Sequence, residues 1–129
     1  MKMKDVDRFE KTVAQLEALH SEISVLLKKS PNDALNEFKL KLVNAVLQEA
    51  NNLLGDTYKP FPDFSAFDQD AVPSNSDVTF ILAQYLNCME KLRSDNIYHH
   101  VGGYWYWRVD GEDPSKPSIR TSQPKKLMR

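Results

Sequence analysis

The sequence predicts a mainly α fold: a three-helix up-down bundle with a long loop between helices 2 and 3 and a small C-terminal β-hairpin. Three observations carry that expectation. Apolar residues recur at helical spacing in three long stretches before residue 96. Clusters of Pro, Ser, Asn and Gly separate those stretches. Beyond Asn96 the pattern changes to strict alternation on either side of Gly102 and Gly103.

Helix 1 is expected over roughly 5–29. Val6, Phe9, Val13, Leu16, His20, Ile23 and Leu27 follow alternating spacings of three and four, an a/d seam with His20 at an a position. Such a seam wants another helix, either an antiparallel neighbour in the same chain or a second copy, giving a homodimer through helix 1. Lys28 and Lys29 suit the negative end of the helix dipole. In "KKSPND", Ser30 reads as the N-cap of helix 2, with Pro31 at N1 and Asp33 at N3. Helix 2 is then expected over about 31–54. Its stripe is Leu35, Phe38, Leu42, Val46, Ala50 and Leu53, widened by Leu40, Val43, Leu47 and Leu54, and Gly55 ends it.

The connection "DTYKPFPDFSAFDQDAVPSN" (56–75) carries Phe61, Phe64 and Phe67 at every third position. Rings of that area need cover, so the loop is expected to fold back over its own helices rather than dock on a partner. Helix 3 starts at Asn75 or Ser76 as N-cap, with Asp77 in its first turn, and runs to about Asp95. Val78, Ile81, Leu82, Tyr85, Leu86, Met89 and Leu92 form its apolar face. "IYHHV" and "YWYWRV" then read as two strands joined by a two-residue Gly-Gly turn. Alternation puts Tyr104, Tyr106 and Arg108 on one side and Trp105, Trp107 and Val109 on the other. "SIRTS" offers a third short strand. Residues 1–111 are read as one domain, and 112–129 as a flexible basic tail.

The composition is that of an ordinary globular chain, with 41% hydrophobic and 27% charged residues and a formal net charge of −1. No global field marks a nucleic-acid or membrane binder. Residues 1–92 nevertheless hold 10 basic against 14 acidic side chains, and residues 93–129 hold 7 against 4. The single cysteine, Cys88, and the charged N-terminus without an apolar stretch lead to the expectation of a cytoplasmic protein with no membrane partner.

Motifs for chemistry are few. His99 and His100 are adjacent, so on a strand they face opposite sides, and neither a metal site nor a cofactor is expected. Cys88 lies beside an apolar helical face, a setting for an inert thiol. Arg93 and His99, in "RSDNIYH", have a spacing that resembles the R-x(4–6)-H motif of HEPN-type ribonucleases. The resemblance implies an RNA-cleaving helical domain, with Arg93 on the scissile phosphate and His99 moving protons. That motif sits on one helix in the family, whereas here the helical pattern ends between the two residues.

The leading expectation is a non-enzymatic protein-interaction or regulatory protein, such as an adaptor, immunity-type or accessory protein of a bacterial or phage system. It would bind another protein, or itself, through Tyr98, Tyr104, Trp105, Tyr106, Trp107 and Arg108, because aromatic residues and arginine dominate interface energetics. The alternative is a nucleic-acid-binding module using Arg108, Arg120, Lys125, Lys126 and Arg129 beside those rings.

Overall fold

The computed structural model describes residues 1–126. The element order is α1 (Met3–Lys29), α2 (Glu37–Tyr58), a 3-10 turn (Gln69–Ala71), α3 (Asn75–Asp95), β1 (Ile97–His99), β2 (Trp105–Trp107) and β3 (Arg120–Thr121). This is the expected mainly α three-helix fold with a C-terminal hairpin, and β3 extends the hairpin to an antiparallel sheet of order β1-β2-β3.

The seam of α1 is used inside the chain. Val6, Phe9, Leu16 and Ile23 are buried, with Thr12 beside them. The most extensive helix contact is α1 against α3. A homodimer through helix 1 would therefore have to use the other face of α1.

Helix 2 starts later than the local signal suggests. Residues 31–35 give their backbone to the start of α3 instead of entering a helix. Asn75 N–H donates to the Asp33 carbonyl at 2.9 Å, Ser76 N–H donates to that of Pro31 at 3.0 Å, and Leu35 N–H donates to that of Pro73 at 3.0 Å. The Ser74 hydroxyl accepts from Asp77 N–H, and the Asp77 side chain accepts from Ser74 N–H, completing a capping box. Thus Ser74, not Asn75 or Ser76, is the N-cap, and the first four N–H groups of α3 all find acceptors. The N-cap of α2 lies six residues past Ser30, at Asn36, whose side chain accepts from Lys39 N–H at 2.8 Å.

The apolar stripe of α2 is also rotated from the expected one. Leu40, Val43, Leu47, Ala50 and Leu54 are buried, whereas Phe38 is 71% and Leu42 46% exposed. Gly55 takes a positive φ of 61° but with ψ −172°, so it kinks the helix rather than capping it in the left-handed conformation expected, and one further turn follows to Tyr58.

Pairings at the helix ends fix the directions. α2 and α3 begin side by side, through the Ala34–Ser74 bridge. They end side by side, where the Tyr58 hydroxyl donates to the Asp95 carboxylate at 2.7 Å. α2 and α3 are therefore parallel to each other and antiparallel to α1, so the expected up-down alternation holds from α1 to α2 but not from α2 to α3; α1 bonds α2 through Glu22–Lys39 near one end and Arg8–Glu49 near the other. The 59–74 connection has to travel the length of the bundle, which accounts for its size. It folds over the helices as expected: Phe61, Phe64 and Phe67 are half-buried against the core, and Phe64 meets the Tyr85 ring edge-on at 6.4 Å. Two asparagines on α2 hold it. Asn44 bonds both the N–H and the carbonyl of Phe67 at 2.9 Å, and Asn51 donates to the Ser65 carbonyl while accepting from the Tyr85 hydroxyl.

One position in this connection is strained. Val72 closes the 3-10 turn at φ 50°, ψ 63°, a region that β-branched residues avoid, and its side chain is 58% exposed. Val72→Asn keeps the turn and relieves the clash, so it is expected to raise the unfolding free energy by about 1 kcal/mol. A melting temperature raised by a few degrees in calorimetry checks this, and an unchanged or lowered value would show that Val72 is unstrained.

Candidate functional site

The C-terminal sheet grows directly out of α3. Asn96 closes the helix by donating to the Leu92 carbonyl, and its own carbonyl accepts from Arg108 N–H at 2.7 Å. β1 and β2 pair as Ile97–Trp107, Tyr98–Tyr106 and His99–Trp105, and β2 pairs with β3 as Trp105–Thr121 and Tyr106–Arg120. The turn between β1 and β2 is longer than the expected Gly-Gly pair. His100 N–H reaches the Tyr104 carbonyl and Gly103 N–H the His100 carbonyl, so Val101, Gly102 and Gly103 form a three-residue connection. Only Gly103 needs positive φ, at 93°.

The register separates the residues of interest onto two faces. The inward face carries Ile97, Trp105 and Trp107, followed by Val109. Trp107 is 0% exposed, meets Phe9 edge-on at 5.1 Å, and donates its indole N–H to Glu10 at 3.1 Å. It is a core residue that joins the sheet to α1, so it leaves the set of surface residues expected to meet a partner. Trp105 is half-buried and lies stacked on the exposed His99.

The outward face carries Tyr98, Tyr104, Tyr106, Arg108 and Arg120. The Arg120 guanidinium lies 3.5 Å above the Tyr104 ring centroid, and the Arg108 guanidinium 5.5 Å from that of Tyr98. His100 meets Tyr106 edge-on at 5.7 Å, so the two histidines do fall on opposite faces of the strand. Among the described residues, neither the Arg108 nor the Arg120 side chain donates to a carboxylate. Two acidic side chains of the adjoining loop are occupied within it: Glu112 accepts from the N–H and hydroxyl of Ser118, and Asp113 from those of Ser115. The Tyr98 hydroxyl donates to the Pro114 carbonyl at 2.9 Å. Partial burial first, and then the charge of Glu112, raise that hydroxyl above its ordinary pKa, while Arg108 pulls the other way.

Arg93 and His99, paired in the ribonuclease resemblance, have different surroundings. Arg93 is 7% exposed in the last turn of α3. Its guanidinium bonds both Glu90 oxygens at 2.8 and 2.9 Å, the Thr121 hydroxyl at 2.9 Å, and the carbonyls of Ser122 and Gln123 at 2.7 and 2.9 Å. A guanidinium has five N–H groups, and all five are engaged, so none remains for a scissile phosphate. α3 ends at Asp95 and His99 lies on β1, so the pair does not share a helix. The same bonds tie down residues 121–123, and Lys125 N–H donates to Glu90 at 2.9 Å. The segment assigned to a flexible tail from 112 thus carries β3 and is fastened to α3 as far as Lys125. Residues 127–129, with Arg129 of the nucleic-acid alternative, lie outside the described residues.

Lys125 and Lys126 stand apart from the outward face. They border a groove of about 430 Å³ between α1 and α3, floored by Phe9, Val13, Met89 and Trp107. Burial pushes the Cys88 thiol above its ordinary pKa, which disfavours the nucleophilic thiolate. Among the described residues no three metal-binding side chains gather, and no helix is long and apolar enough to cross a membrane.

Two measurements check this placement. Acrylamide should quench Trp107 weakly in Trp105→Phe, and Trp105 more strongly in Trp107→Phe; equal quenching would return Trp107 to the surface. Arg93→Ala is expected to cost about 3–5 kcal/mol, as breaking a buried ion pair does. It should speed amide exchange at Trp107 and Lys125, and Arg93→Lys, which lacks the planar fork, should not restore protection. Comparison of the chain with family models, with curated proteins and with solved structures finds no match, so the functional reading stands on the geometry of this sheet.

Proposed function

We propose that this protein is a non-catalytic binding module whose recognition surface is the outward face of the C-terminal sheet. The observation that carries the reading is the pair of arginine–tyrosine contacts, Arg120 3.5 Å above the Tyr104 ring centre and Arg108 5.5 Å from that of Tyr98, with guanidinium edges that meet no carboxylate among the described residues. Arginine and tyrosine are the residue types that supply most binding energy at interfaces. Stacking on the ring holds each guanidinium in place, so a partner loses less side-chain entropy on binding. Trp107 and Arg93 add to this by anchoring the sheet to the bundle, so that the surface is formed before a partner arrives. A regulatory or accessory role in a bacterial or phage system is the biological form of this reading. The single, half-buried Cys88 agrees with a cytoplasmic setting.

The test is a photoreactive residue at Val101, fully exposed at the hairpin tip, in protein produced in its native host. A control carries the same residue at Val25, 55% exposed on α1. A defined adduct from position 101 alone, lost with Tyr104→Ala, is the expected result. Adducts from both positions, or none from 101, would remove this face as the binding surface.

A further inference from the structure

We propose that the outward face takes a single-stranded nucleic acid, RNA or DNA, stacking its bases on the two tyrosine–arginine platforms and holding its phosphates on the guanidinium edges. This rests on the reading of that face as the recognition surface and names the partner.

The platforms have two kinds of open valence. A guanidinium lying on a tyrosine ring keeps its opposite face free for a second planar group and its N–H edge free for an anion. Nucleotides are ligands that offer both, a planar base and an anionic phosphate, at every repeat. An acidic peptide would satisfy the edges and leave the planar faces unused. A duplex hides its base faces within the stack and cannot lie on such a surface.

The register places the platforms to suit consecutive nucleotides. Tyr98 sits opposite Tyr106, and Tyr104 lies two residues from Tyr106 on the same side of β2. Tyr98 and Tyr104 are therefore diagonal neighbours, about 7–8 Å apart in ordinary antiparallel geometry. Tyr106 lies between them, with Arg120 directly opposite it on β3. Three rings and two cations thus cover one face of a three-stranded sheet.

The four arginines among the described residues divide by use. Arg8 bonds Glu49 and Asp5, and Arg93 bonds Glu90. Arg108 and Arg120 meet aromatic rings instead, although Glu112 and Asp113 stand in the adjoining loop. Those two carboxylates make the face asymmetric. Glu112 shares a cleft with Tyr98 and Arg108, and both charges act on Tyr98, so they oppose a phosphate at that end, whereas Tyr104 stands at the hairpin end of β2. The second platform is therefore the stronger one.

The experiment is fluorescence anisotropy with labelled oligouridylate and oligothymidylate of about 12 nucleotides at about 50 mM salt, a length that spans such a surface. A duplex and a polyglutamate peptide of similar length serve as comparisons. Both single strands should bind, and the ratio of the two affinities tells whether a 2′-hydroxyl is read. The double variant Arg108→Ala/Arg120→Ala should reduce the slope of log affinity against log salt by about 1.4, two phosphates at about 0.7 each. Tyr104→Leu should weaken binding about ten-fold. Arg120→Ala should weaken it more than Arg108→Ala, and Asp113→Asn should strengthen it, with unchanged circular dichroism in each variant. Three results overturn the proposal. They are no binding of either strand at this salt, binding that ignores all the variants, and polyglutamate binding as tightly while Tyr104→Leu has no effect. An adduct from Val101 together with silent oligonucleotides would sink the nucleic acid and leave the binding face standing.

Discussion

A guanidinium buried at a helix end must have every N–H bonded, because an unpaired charged donor away from water costs several kcal/mol. Arg93 sits in that position, and meeting its demand organises the last third of the chain. Glu90, one turn back on α3, supplies the countercharge and two acceptors. The other three bonds go to Thr121, Ser122 and Gln123, which have to pass across the end of the helix in extended form. An extended segment there lies alongside β2, so Arg120 and Thr121 become its third strand. β2 is thereby a central strand rather than an edge, and its backbone is closed to unwanted pairing.

Once β2 is central, the period of two in its side chains produces two unlike surfaces. The inner one is fixed by Trp107, the largest fully buried side chain, which needs both an apolar site and an acceptor for its indole N–H. Phe9 and Glu10, consecutive on α1, provide one each. The same two contacts set the rotation of the sheet on the bundle. Since β1 begins two residues after α3 ends, the sheet has no linker about which to move. The outer rings and arginines are carried on a rigid base, the condition for a surface that recognises rather than adapts.

What the sequence revealed, and what it did not, follows from the range of each interaction. The face of α3 and the alternation in "YWYWRV" were legible because they depend on neighbours a few residues away. Which side of β2 turns inward was not, because the residues that decide it lie near position 10. The start of helix 2 misled for a related reason. Ser30, Pro31 and Asp33 form a sound local N-cap signal, but the open N–H groups of Asn75 and Ser76 take those carbonyls first. On α2 both apolar stripes were visible, and only the placement of α1 and of the 59–74 connection left Phe38 in water. Asn44 and Asn51, two turns apart on one helix face, were the unused sign that something polar crosses α2. For Arg93 the only local hint was Glu90 three residues earlier, which marks an ion pair as readily as a catalytic residue. Arg120 was legible as a basic residue near the hairpin, but its place on the Tyr104 ring required the pairing of β3.

Among the described residues the edges of Arg108 and Arg120 meet no carboxylate, which fits this division between what holds the fold and what it presents. An exposed ion pair contributes only about 0–1 kcal/mol, so leaving two surface arginines without carboxylates costs the fold little. Stacking on tyrosine recovers a comparable amount and straightens the side chain. The serines in the adjoining loop complete the arrangement. By bonding Glu112 and Asp113, Ser118 and Ser115 hold those carboxylates in the turn, where they shape the loop without binding the arginines. Tyrosine suits the outer positions for the same reason that tryptophan suits the inner one. Its hydroxyl tolerates solvent, as the half-exposed Tyr104 requires, while an indole of larger apolar area gains more from the contact with Phe9. The stabilising groups thus face α1 and α3, and the groups with unused bonding capacity face outward on the same three strands.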